Sequence, residues 1–264
     1  MHKGTLDMWN NRSDEYYGGL RGQLDRLIKN PSWAFPPLIW DMIHREFPDL
    51  RGKRVLVPSS GDNFAVFGFH LLGAEITSCD FAERQLYNAQ KVADEQSWSI
   101  KFVQQDSMEL NKIGDGDFDL VYTSNGVHVW ISDLPKMYGN FHRVLKPGGV
   151  YIMFETHPFI RPFDSSGAEI KVKKPYTSTG PFVSSVTEYA WRVMDLFNSL
   201  FDAGFTMTHM EEIHSDKDDY DNWFSREADE TDEQYANKYD WKHNPWAALP
   251  QWIGFTAKKE GKLT

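Results

Sequence analysis

The chain has 264 residues, 41% of them apolar and 25% charged, a balance that excludes a disordered or fibrous protein. A formal net charge of −10 argues against a nucleic-acid backbone as the main partner, because such binding feeds on clustered Lys and Arg. No apolar run approaches the roughly 18 residues of a membrane span, the opening residues lack a signal-peptide core, and Cys79 has no second cysteine to pair with, so a cytoplasmic protein is expected.

Residues 1–50 read as helical, broken at Asn30-Pro31 and again at Phe35-Pro36-Pro37. Leu38, Ile39, Met42 and Ile43 mark one apolar face there. From Arg54 the pattern changes to strand alternating with helix. A strand over 54–58 (RVLVP) ends in Ser59-Ser60-Gly61-Asp62-Asn63, and a helix over 64–72 stops at Gly73. Strands follow at 75–80, 100–106 and 118–124, with a helix over 82–96 that puts Ala82, Leu86, Ala89 and Ala93 on one face. A helix over 134–145 closes in Lys146-Pro147-Gly148-Gly149 before a strand at 150–155. Ser185-Val186-Thr187-Glu188 has the form of a capping box. It predicts a helix with Ala190, Met194, Phe197 and Phe201 inward, ended by Gly204. Strands at 205–213 and 251–258 complete the set.

This alternation predicts an α/β fold: a Rossmann-like, seven-stranded, mostly parallel sheet with helices on both faces. Residues 1–50 are expected to form a helical cap on a domain over 51–264. Two connections, 156–185 and 214–250, are too long for plain turns and are expected as lids or substrate insertions, the longer one just before the last strand. The second lies in an acidic stretch, since 211–240 holds twelve acids against three bases, a net −9.

In open parallel sheets the ligand sits at the carboxyl ends of the strands, so the residues following each strand form one candidate set. After the first strand, small residues let the backbone approach a ligand, and the amides of the next helix start face an anion. Asp80 ends the second strand, where a carboxylate can accept both hydroxyls of a ribose, and Phe81 can lie against a flat base. Asp106, after the third, can accept from an exocyclic amine. Asn125, Gly126, His128 and Trp130 follow the fourth strand, and Glu155 and His157 the fifth. The last two share a face if that strand continues. Two ligands are too few for a metal, and none is expected.

Taken in order, VLVPSSGDN (55–63), Asp80, QDSM (105–108), FDLVYTSNGVHVW (118–130) and RVLKPGG (143–149) resemble the class I S-adenosylmethionine-dependent methyltransferases. The last piece is similar to the subgroup that methylates small molecules. The first departs from the family, which usually has an acid within the strand and three glycines in the loop; here Val57 stands for the acid and Gly61 alone keeps the glycine pattern. The resemblance implies S-adenosylmethionine as cofactor. Ser59, Ser60, Gly61 and Asn63 would face its methionine part, Asp80 its ribose, and Phe81, Asp106, Ser107 and Met108 its adenine. Asn125 and Gly126 would lie beneath the methionine, and Trp9, Tyr16 and Tyr17 on a helix folded over it.

On the acceptor side, His128, Trp130, His157 and Trp246 would face a small molecule methylated at oxygen, nitrogen or sulfur. His128, whose type titrates near pH 6.5, would remove the proton. Two rivals stand beside this reading. One is a protein of the same fold that binds cofactor without catalysis. The other is an NAD(P)-dependent oxidoreductase, which wants G-x-G-x-x-G where this chain has SSGDNF.

Overall fold

The computed structural model describes residues 3–164, 169–218 and 222–261, so 165–168 and 219–221 of the two insertions lie outside the described residues. Strand β1 (Arg54–Pro58) is buried from Val55 onward, as a strand covered on both faces must be. β2 (Glu75–Asp80) and β3 (Lys101–Gln104) extend the sheet in parallel on one side, β4 (Phe118–Thr123) and β5 (Leu145–Thr156) on the other. β6 (Phe205–Ile213) and β7 (Trp252–Lys259) complete the order β6-β7-β5-β4-β1-β2-β3, with β7 antiparallel to both neighbours. The expected seven-stranded, mostly parallel Rossmann-like sheet is therefore present.

Its faces are covered by α1 (Lys3–Lys29), α2 (Pro37–Glu46), α3 (Phe64–Leu71), α4 (Glu83–Gln96), α5 (Leu134–Val144) and α6 (Val193–Asp202). The short α7 (Asp232–Asn237) belongs to the second insertion. One buried cluster joins Leu27, Ile39, Phe67, Phe69 and Phe154; a second joins Tyr138, Phe141, Tyr151, Leu200 and Phe255. Among the described residues no helix is long and apolar enough to cross a membrane.

Two expectations are corrected. Phe118 pairs with Leu145 and Leu120 with Val150, so the Lys146–Gly149 stretch bulges out of β5 instead of preceding it. The run at 185–188 does not open a helix. Thr187 and Glu188 pair antiparallel with Phe182 and Val183, and Tyr189 gives its N–H to Val129 O at 2.8 Å. With those backbone groups committed to distant partners, α6 starts only at Val193, where the Asp195 carboxylate accepts from the Arg192 N–H at 2.9 Å and from its guanidinium. The later start turns a different face inward: Leu196 and Leu200 are buried, whereas Met194 and Phe201 are 52% and 48% exposed.

α3 approaches the 3-10 turn Pro31–Ala34 closely enough to need a glycine. A Cβ on Gly68 would stand 2.5 Å from Ala34 Cβ and 3.2 Å from the Pro31 carbonyl. Gly68→Ala is expected to destabilise by about 1–3 kcal/mol through overpacking. Gly18→Ala on α1, where an added Cβ meets nothing within 4 Å, should instead stabilise by about 1 kcal/mol through helix propensity. Urea unfolding of the two variants should move in opposite directions.

Candidate functional site

The loop between β1 and α3 takes a left-handed conformation at Ser59, Gly61 and Asn63, with φ of +52°, +53° and +61°. Only Gly61 adopts it freely; the other two need holding. Ser59 Oγ lies 2.6 Å from Ser107 Oγ in the loop after β3. The Ser78 hydroxyl reaches Asn63 Oδ1 at 2.5 Å and Ser60 Oγ at 2.9 Å. Asn63, fully buried, donates to Tyr17 OH at 2.9 Å and to Gly61 O at 2.8 Å. Serine and asparagine side chains thus fix the turn. Asn63 and Tyr17 act behind this loop instead of lining its open side.

Asp80 closes the turn from β2. Its Oδ2 accepts from Gly61 N at 3.0 Å and its Oδ1 from Ala82 N at 2.8 Å. Burial pushes its carboxyl up to about 6, against the backbone hydrogen bonds that pull it down. A carboxylate has about four lone-pair positions, so each oxygen retains acceptor capacity. Asp106 uses Oδ1 on the N–H of Met108 at 2.8 Å; Ser107 and Met108 are buried, Phe81 half-buried.

Above Gly61 lies a cleft of about 210 Å3, walled by Trp9 and Tyr16 of α1, Ser59 to Asp62, Phe64 and Ala65 of α3, Ala34, Ser124 and Asn125. Of the expected cofactor residues it brings together Trp9, Tyr16, Ser59, Ser60, Gly61 and Asn125. Asp80, Phe81, Asp106, Ser107, Met108 and Gly126 lie outside its lining. Ala34, Phe64 and Ala65 were not singled out in the sequence; the closeness of Gly68 to Ala34 that brings them there is visible only in the fold. α1 is held in place through α4: buried Ser13 donates to Gln85 at 3.2 Å and accepts from Asn88 at 2.9 Å. Trp130 meets Trp9 edge-on, ring centroids 5.7 Å apart, and so stands beside the cleft.

The turn after β4 is organised by one carboxylate. Glu155, 2% exposed, accepts from Gly126 N at 2.8 Å, His128 N at 2.9 Å and Thr156 N at 2.8 Å, and pairs with His128 Nδ1 at 3.0 Å. Burial raises its carboxyl, but the hydrogen bonds and charge of His128, with Arg161 at 3.9 Å, outweigh it and hold the group below its ordinary value. The other ring nitrogen of His128 lies 2.9 Å from Tyr138 OH. Both ring nitrogens are engaged and the ring is buried, and the His128 backbone N–H and Nδ1 tie the turn to Glu155.

His157 falls just beyond β5, so it does not share a face with Glu155. Its Nδ1 accepts from Phe159 N at 3.1 Å and its Nε2 lies 3.0 Å from Glu212. Burial lowers its pKa, against the pull of Glu212. Trp246 is buried in the second insertion, away from the cleft lining.

Residues 58–153 match the family described as a methyltransferase domain. The chain is 32% identical over 108 residues to a demethylmenaquinone methyltransferase of Thermus thermophilus, covering 40% of this chain and 48% of that protein. It is 28% identical over 153 residues to a sterol 24-C-methyltransferase of Aspergillus fumigatus, covering 57% and 38%. The chain thus spans about half the length, or less, of these curated relatives. An S-adenosylmethionine-dependent methyltransferase structure from Mesorhizobium loti has the same fold, with TM-score 0.63 at 20% identity over 83% of this chain and 96% of that one. The matched segment, running from the end of β1 into β5, is thus similar to a methyltransferase domain, and the sheet around it has the fold of the S-adenosylmethionine-dependent methyltransferase structure.

Proposed function

We propose that the protein transfers the cofactor's methyl group to a small molecule. The observation that carries this reading is the cleft above Gly61, set between the carboxyl ends of β1 and β4 and walled by Trp9 and Tyr16. An ideal Cβ on Gly61 meets no atom within 4 Å, so that face is open to the methionine end of the cofactor. Ser59, Ser60, Gly61 and Asn125 would hold that end, the free acceptor capacity of Asp80 the ribose, and Phe81, Asp106, Ser107 and Met108 the adenine. The cleft is smaller than the roughly 300 Å3 at which ligand sites begin. It would take the methionine end alone, the ribose and adenine lying beyond it toward Asp80 and Asp106.

The bound cofactor supplies a methyl already activated on a sulfonium. The protein's part is then to position the acceptor and exclude water, which needs no catalytic triad. Oxygen, nitrogen or sulfur is the acceptor expected from the sequence. The relative named for the 24-C position of a sterol adds carbon to that range. A cytoplasmic setting is part of the same reading, supported by the single, buried thiol of Cys79.

Saturating S-adenosylmethionine or its demethylated product should raise the melting temperature, since a ligand of the folded state at about 100 times its dissociation constant adds about 2.7 kcal/mol. NADH should leave it unchanged. A shift with NADH and none with S-adenosylmethionine would overturn the reading in favour of the oxidoreductase. Labelled methyl transfer to a panel of small acceptors separates the enzyme from a silent cofactor binder.

A further inference from the structure

A second cavity lies apart from the cleft, inside the second insertion between β6 and β7. Its volume is about 650 Å3, within the usual range for small-molecule sites. Its aromatic walls are Trp223, Phe224 and Trp246, and its charged lining residues include Glu227, Glu230 and Lys238.

The insertion that forms it is internally bonded. Thr231 and Gln234 cap α7 reciprocally, Tyr239 OH donates to Phe224 O at 3.0 Å, and Gln251 donates to Trp246 O at 2.7 Å. A run of pairwise contacts leads from the cavity to the cleft wall. Trp223 stands edge-on to Trp252 with centroids 5.0 Å apart. Trp252 pairs with Thr156, whose hydroxyl donates to Asn125 on the cleft wall at 3.0 Å.

The charges do not balance. Lys238 Nζ is 3.0 Å from Glu230 and donates to Ser225 O at 2.8 Å, so that pair is self-contained. His243 pairs with Asp240 at 3.1 Å. Among the described residues the Glu227 carboxylate has no side-chain partner, and the surrounding stretch carries the net −9 noted above. An anion entering would meet uncompensated negative charge. A cation would meet that carboxylate in a lining that includes two indole rings, the ring type that holds cations best.

We propose that this chamber binds the group that anchors the methyl acceptor, and that this group is an organic ammonium. The assignment rests on the methyltransferase reading for its purpose, but not for its test. The full chain is titrated calorimetrically with benzyltrimethylammonium, benzyl alcohol and benzoate, each with and without S-adenosylhomocysteine. The ammonium should bind at least about tenfold more tightly than either of the others, one decade being about 1.4 kcal/mol. Glu227→Gln, at an exposed position, should erase most of that preference, and Trp223→Leu should weaken the ammonium about tenfold. Equal binding of the three compounds, no binding of any, or indifference to both substitutions overturns the proposal. Binding of S-adenosylhomocysteine in the same cell is read separately. Its failure beside intact ammonium binding would strike the methyltransferase reading and leave the chamber's chemistry standing.

Discussion

Glu155→Ala is expected to destabilise the fold by about 3–5 kcal/mol, the usual cost of removing one side of a buried charged pair. The loss strands three backbone donors and the His128 ring in a dry site, each unsatisfied group costing about 1–3 kcal/mol. At 2–4 °C per kcal/mol for a chain this long, the melting temperature should fall by roughly 6–20 °C. Glu155→Gln keeps one oxygen acceptor and should lose less. It turns an amide toward the N–H groups of the 126–128 turn, so methyl transfer at saturating cofactor should drop even where the variant is folded at assay temperature. His128→Ala discriminates between the two roles given to that residue. If the ring is a general base, its loss should lower turnover roughly 10²-fold or more while cofactor binding is kept. If it only ties the turn to Glu155, the variant should lose stability first, with a much smaller loss of turnover in the folded protein.

Asp80 is expected to make cofactor affinity depend on pH. Burial raises the carboxyl from an ordinary 3.8 to about 6 in the free protein, and ribose hydroxyls donating to it would favour the charged form. Binding then expels a proton, so affinity climbs as pH rises through about 6 and levels off above it. With that value, affinity at pH 5 should lie about tenfold below that at pH 7.5. Asp80→Asn, which cannot ionise, should show a flat and uniformly weaker profile by calorimetry. The same shift acts on the free protein. Because the folded value is the higher one, this group's stabilising contribution is whole below about pH 4. It is lost as pH rises through 6. Equal pH profiles for the parent and Asp80→Asn would leave Asp80 as a cap for Gly61 and Ala82 and nothing more.

The sheet and the strand-end loops were legible because they rest on local signals: short apolar runs, Gly73 after α3, and an acid at the end of β2. What escaped was non-local. The serines and Asn63 of the first loop depend on Ser78 and Tyr17, which lie 15 and 46 residues away from Asn63. Glu155 looked like half of a pair with His157, yet its partners lie 27 and 29 residues upstream. The false helix start at 185–188 shows the same limit from the other side. A capping pattern is a local preference, and Val129 and Phe182 claimed those backbone groups first.

The ends of the second insertion are Ile213 and Trp252, which face each other as the last rung of the β6–β7 ladder. Whatever the chain does between them, it leaves and re-enters the sheet at one fixed point. Closing a longer excursion costs little, about 0.6 kcal/mol for each doubling of its length. The slot is therefore a socket: segments of different size and charge can be grafted there while the strands that carry Gly61 and Asp80 keep their register. On the proposed reading, a lineage or an engineer can exchange what the insertion would recognise without rebuilding the loops proposed to hold the methyl donor.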